Sequence, residues 1–171
     1  MLDKPKKPLD NQGGGAMAES TVLEIRQITD PETILKTLQD PHIVSMCCPE
    51  DMVHQIPEIV TVPGYSFIGV YEGETYLGLF IAHYLFGEAF VHACLLPSAY
   101  GEKSRRAGLL FEQWLWEHMN PKRVIAQVAD FNPLAVRYLK DLGFTFLGKI
   151  HGGWLHNGID HDSDVYAKAR C

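Results

Sequence analysis

The hydrophobic pattern is clearest over Phe131–Phe144, FNPLAVRYLKDLGF. Ala135, Tyr138, Leu139 and Leu142 recur at i, i+3, i+4 and i+7, which puts them on one stripe of a helix. Asn132 is suited to cap that helix, with Pro133 at its first position, where a missing N–H is harmless. Gly143 supplies the left-handed residue that ends it. RVIAQVADF before it and FTFLGKI after it are rich in β-branched or aromatic residues, so the local unit reads strand, capped helix, strand.

The same reading extends along the chain. TVLEIRQIT (21–29) alternates apolar and polar residues and predicts a half-buried strand. Asp30-Pro31 opens a helix with Ile34, Leu35 and Leu38 on its apolar side. HIVSMC predicts a second short helix between Pro41 and Pro49. Residues 49–64 carry three prolines and predict a loop-rich connection with one short helical turn. YSFIGVY (65–71), TYLGLFIAHYLF (75–86) and AFVHACLL (89–96) predict an antiparallel meander that stops at Pro97. SAYGEKSRR (98–106) reads as a polar loop ending in Lys103, Arg105 and Arg106. A helix follows, with Ala107, Leu110, Phe111, Trp114, Leu115 and His118 on one face. After the strand at 123–131 and the capped helix, TFLGKIHGGWLH and IDHDSDVYAKA flank Asn157-Gly158, a strong two-residue hairpin turn.

Residues 1–20 are too rich in Lys, Pro, Gly and polar groups to bury a core, and predict a flexible tail ahead of one domain at 21–171. With 171 residues, 46% apolar and 21% charged, the composition is that of a globular domain. Net charge is −6, which disfavours nucleic acid and membrane surfaces as partners. No apolar run is long enough to span a bilayer, and the N-terminus has no hydrophobic signal core. The four cysteines show no metal-type spacing and predict free thiols in a reducing cytoplasm.

The order β-α-α-β-β-β-α-β-α-β-β, with Asn132, Ala135, Leu142, Gly143 and Phe144 in an N-x-x-A…L-G-F arrangement, resembles the GNAT superfamily of N-acyltransferases. Phe144, Gly148, Asn157-Gly158 and Asp162 to Tyr166 are similar to the terminal hairpin of many members. The wording NPLAVRYLKDLGF also faintly resembles GNAT-like proteins of tailed phages, some linked to head assembly. The resemblance implies an α+β layered fold: a mixed, mostly antiparallel sheet splayed between strands 89–96 and 123–131. It further implies an acetyl-CoA co-substrate lying in the splay. The backbone of Cys94, Leu95 and Leu96 would pair with its pantetheine arm. Pyrophosphate would sit on the helix start near Gly101, Lys103, Ser104, Arg105 and Arg106, with Asn132 nearby; free amides and the helix dipole favour an anion there.

The pattern departs from the family twice. The glycines expected in the phosphate loop fall on Lys103 and Arg105, with Tyr100 on the first marked position. The tyrosine that protonates the departing thiolate falls on Leu139, with Tyr138 one place earlier. Tyr138 is therefore open between acid and core aromatic. His92 and Glu88 are candidate proton acceptors, as is His83 on the neighbouring strand. His151, His156 and His161 lie beside Asp160, Asp162 and Asp164, but a regular hairpin sends them to different faces, so no metal site is expected.

Two readings follow. One is direct transfer of an acyl group to a small-molecule or protein amine, with the acidic balance favouring a cationic acceptor and a homodimer left open. The other is a GNAT-like assembly protein without catalysis, since fold does not fix function.

Overall fold

The computed structural model describes residues 22–170. The expected tail at 1–20 and Cys171 lie outside them. Seven strands form one sheet in the order β1-β2-β3-β4-β5-β7-β6. The strands are β1 (Leu23–Ile28), β2 (Tyr65–Glu72), β3 (Thr75–Leu85), β4 (Glu88–Leu95), β5 (Arg123–Ala129), β6 (Thr145–His156) and β7 (Ile159–Ala169). All neighbours are antiparallel except β4 and β5. The sheet is thus the mixed, mostly antiparallel one expected, closed by a C-terminal hairpin.

Five helices flank it: α1 (Pro31–Leu38), α2 (Pro41–Cys47), α3 (Ile56–Ile59), α4 (Glu102–His118) and α5 (Pro133–Asp141). The segment 49–64 holds more helix than expected, a 3-10 turn over Glu50–Gln55 running into α3. Caps fix the helix starts. Asp30 accepts from the amides of Glu32 and Thr33, Asp40 from His42 and Ile43, and Asn132 from Ala135. At the end of α5, Phe144 N–H reaches Leu139 O at 3.0 Å and Gly143 N–H reaches Lys140 O at 2.9 Å, with Gly143 at φ +82°. This pair of bonds satisfies carbonyls that the helix leaves open.

The sheet separates two layers. Under α4, Phe80 stacks on Phe111 with ring centroids 4.3 Å apart, among Ile68, Val70, Ala89 and Val124. On the same face α5 buries Leu139 against Ala126, Val128 and Tyr166. On the opposite face α1, α2 and α3 cover Phe67, Leu79, Ile81 and Cys94. No helix of the described residues is long and apolar enough to cross a membrane.

Parallel pairing between β4 and β5 runs from Glu88 opposite Arg123 to Val91 opposite Ala126, and stops there. Beyond it the strands part, and the sheet opens where the sequence places the splay.

Candidate active site in the splay

A cavity of about 530 Å³ passes through this opening. On the α4–α5 face it is bordered by Gly101, Ser104, Arg105, Gly108 and Tyr138. On the other face it is bordered by His92, Gln127 and Trp154, with His42, Met46 and Cys47 of α2 forming a wall. The size suits a small organic ligand.

The ladder determines which backbone groups face the opening. Leu96 N–H donates to Leu77 O at 3.0 Å, so it is committed to β3. The register is continuous from Leu95 opposite Gly78 to Cys94 opposite Leu79 and Ala93 opposite Phe80. Antiparallel alternation then turns the peptide groups of Cys94 towards β3 as well, and those of Ala93 and Leu95 towards the splay. The Ala93 carbonyl accepts from the Cys47 thiol at 3.5 Å. Of the expected trio, Cys94 and Leu96 are thus committed to β3, while Leu95 turns its peptide groups towards the splay, as does Ala93. Buried Cys94 lies close enough to Cys47 for the two thiols to interact. That interaction lowers the Cys47 pKa; together with burial it pushes the Cys94 thiol well up. Neither cysteine nor Cys48 is in a disulfide.

Gly101 stands just before α4 with φ +85°, a conformation that glycine adopts freely, and open space surrounds the position of its absent Cβ. No side chain caps α4. Its first free amides belong to Glu102, Lys103 and Ser104, since Arg105 N–H already returns to Gly101 O. Helix α4 thus begins before the three cations, which occupy its first turns rather than a loop.

The cations go to different places. Lys103 Nζ binds Glu72 Oε2 at 2.6 Å and turns to the end of β2. Arg106 lies beside Leu23, Leu109 and Leu110, away from the splay. Arg105 alone of the three borders the cavity, held by Glu102 at 3.2 Å. The side chains of Lys103 and Arg106 therefore lie off the cavity that the expected phosphate contacts would border. Ser104 stays at the rim, its hydroxyl donating to Gly101 O at 2.7 Å. Asn132 borders the cavity, but both ends of its amide are used: Oδ1 accepts from Ala135 N–H and Nδ2 donates to Met46 O at 3.4 Å. It ties α5 to α2 and has a structural role.

The candidate proton carriers also separate. His92 lies on the α2 face of β4 and borders the cavity. Its side chain is exposed towards the cavity, and desolvation by the surrounding protein lowers its pKa. Glu88 sits at the closed end of the β4–β5 pair, where Arg123 Nε and Nη2 both reach its Oε1. Four residues of strand, roughly 13 Å, separate it from His92. Glu88 is outside the site because β4 carries it in the opposite direction from the splay. His83 stacks on Tyr65 at 4.5 Å and also stays out. Tyr138 donates its hydroxyl to Ser104 O at 3.2 Å, and burial raises its pKa.

The hairpin histidines have individual partners: His151 with Asp162 at 3.0 Å, His161 with Asp130 at 3.2 Å, and His156 stacked on Phe131. Among the described residues no group of three His, Cys, Asp or Glu is placed to hold a metal ion. The sequence reading missed the α2 wall and Trp154. Asp40 followed by Pro41, a capping residue and a proline at the first helical position, is the local signal that fixes the start of α2.

Residues 34–170 match the family model described as Protein of unknown function (DUF2824). No curated protein matches the sequence. Among solved structures, spermidine N-acetyltransferase from Vibrio cholerae, in complex with CoA and spermine, is similar at a TM-score of 0.72 and 18% identity, over 86% of this chain and 95% of that one. A probable GNAT-family acetyltransferase from Chromobacterium violaceum gives 0.69 and 13%, over 99% and 96%. Ribosomal-protein-S5-alanine acetyltransferase from Vibrio fischeri gives 0.68 and 19%, over 86% and 92%. At these identities the likeness establishes a shared fold, the GNAT fold.

Proposed function

We propose an activity for this chain, which belongs to the DUF2824 family of proteins of unknown function: transfer of an acyl group from acyl-CoA, with acetyl-CoA the default donor, to a primary amine. The observation that carries it is the cavity running through the splay from the open start of α4 to His92. One end offers free amides and Arg105, which suit a pyrophosphate. The middle offers backbone of Ala93 and Leu95 turned away from β3, with the Ala93 carbonyl held only by the Cys47 thiol, which suits an amide-bearing arm. The other end offers an imidazole with a lowered pKa, which is neutral at pH 7 and able to take a proton.

In this reading the neutral amine attacks the thioester carbonyl, and its proton passes to His92. The thiolate leaves and takes a proton from the His92 imidazolium or from solvent. Tyr138 is a poor acid for that step. An ordinary thiol has a pKa of about 8.5 and a free phenol one near 10, so donation from a phenol runs uphill. Burial steepens it further. Tyr138 serves instead as a positioning residue between α4 and α5.

Calorimetry of the full chain with CoA tests the reading. Binding with micromolar affinity is expected, together with a rise in Tm. No heat and no thermal shift at millimolar CoA would reject acyl transfer and leave the assembly role, including the phage-like one, as the better account.

A further inference from the structure

The two ends of the cavity differ in the charged groups they carry, and the difference bears on the acceptor. Three carboxylates border the cavity: Glu102, Glu112 and Asp141. All belong to α4 or α5, and each is held by a cation. Glu102 pairs with Arg105, Glu112 with Lys168 at 2.8 Å, and Asp141 with Arg137 at 3.7 Å. On the α2 face the lining is His42, Met46, Cys47, His92, Gln127 and Trp154. Among the described residues no carboxylate lines this half.

That half also contains an unsatisfied donor. Trp154 is 6% exposed and borders the cavity, and its indole N–H has no partner. Its neighbours across the ladder are accounted for. Trp154 stands opposite His161, which is bound to Asp130, and Ser163 accepts from Gln127 Nε2 at 2.7 Å. A buried donor without an acceptor carries a desolvation penalty that a ligand oxygen would remove.

We infer that the α2-side chamber takes a primary amine with an apolar, uncharged body and a hydrogen-bond-accepting oxygen near the amine, received by Trp154 Nε1. This rests on the acyl-transfer reading and narrows its acceptor. A polyamine fits poorly. Each further ammonium would lie against imidazole, amide, thiol, thioether and indole groups with no carboxylate to offset its desolvation. The net charge of −6, which favours cationic acceptors when read from composition, puts no carboxylate in the lining of this half.

The test uses the full chain, acetyl-CoA and three amines: phenylalaninamide, phenethylamine and spermidine, with released CoA thiol as the readout. Phenylalaninamide should exceed spermidine in kcat/KM by about tenfold or more. Trp154→Phe should lower kcat/KM for phenylalaninamide about tenfold, mainly through KM, and leave phenethylamine within about twofold, because only the former supplies the oxygen. CoA affinity should not change. Preference for spermidine overturns the inference. So does absence of turnover with phenylalaninamide while CoA binds, or an equal loss for both aromatic amines in Trp154→Phe. The wild-type comparison decides the question even if the variant fails to fold. If CoA itself does not bind, the acyl-transfer reading falls first, and calorimetry separates that result from failure of the acceptor class.

Discussion

The Tyr138 hydroxyl and the Ser104 carbonyl meet at 3.2 Å and join α5 to the first turn of α4. Gly108, one turn further along α4, makes the approach possible. A Cβ there would lie 2.4 Å from the Tyr138 oxygen and 2.7 Å from Leu142 Cδ1. In an exposed helix Gly→Ala stabilises by about 1 kcal/mol. At this position the overlap should dominate, and Gly108→Ala should destabilise by ~1–3 kcal/mol in urea unfolding. Adding Tyr138→Phe removes the oxygen that the new methyl meets. The double variant should therefore lose less than the two single losses added together.

His92 links stability and rate to pH. Its folded pKa lies below the ordinary value of about 6.5. Between the two values the unfolded chain binds the extra proton, so stability is fully present above about 6.5 and is lost as pH falls through the lower, folded pKa. Replacing the ring with an amide in His92→Gln should remove that slope, read as urea midpoints at pH 7 and pH 5. Under the proposed chemistry the same variant should lower kcat by about 10²-fold and flatten the acid limb of the pH–rate profile.

The three cations of α4 should behave differently towards CoA. Arg105→Ala should weaken binding about tenfold, the loss expected of one charge-assisted phosphate contact. Lys103→Ala and Arg106→Ala should leave it within about twofold, since their side chains point to Glu72 and to the Leu23 side. Titration calorimetry at one fixed salt concentration makes the comparison. Equal losses at all three positions would show that overall charge, not the position of Arg105, governs binding.

Glu88→Gln should leave turnover unchanged. Its partner Arg123 is about half exposed, so the pair should be worth ~1 kcal/mol or less to stability. A drop in kcat without a drop in Tm would return Glu88 to the site.

Much of the architecture was legible because it is encoded locally. Asp30-Pro31, Asn132-Pro133, Gly143 and Asn157-Gly158 each determine backbone geometry within a few residues, and the capped helix and terminal hairpin follow from them. The site was less legible because its residues are sorted by distant partners. Lys103 is drawn off by Glu72, 31 positions earlier, and Glu88 by Arg123, 35 positions later. Which peptide groups of β4 stay free depends on register with β3, and Leu96 is claimed by Leu77. Asn132 illustrates both cases. Its capping role could be read from its neighbours, while the donation to Met46 that completes its hydrogen bonding could not.

The short parallel pairing of β4 with β5 has a mechanical consequence. Four residue pairs, Glu88–Arg123 to Val91–Ala126, join strands β1–β4 to strands β5, β7 and β6. The sheet is therefore two leaves on a short spine, and the cavity is the wedge between their free ends. A molecule seated in that wedge touches both leaves and replaces the hydrogen bonds that the spine lacks. Its arrival should appear as slowed amide exchange along the inner edges of both leaves, far from the atoms that react.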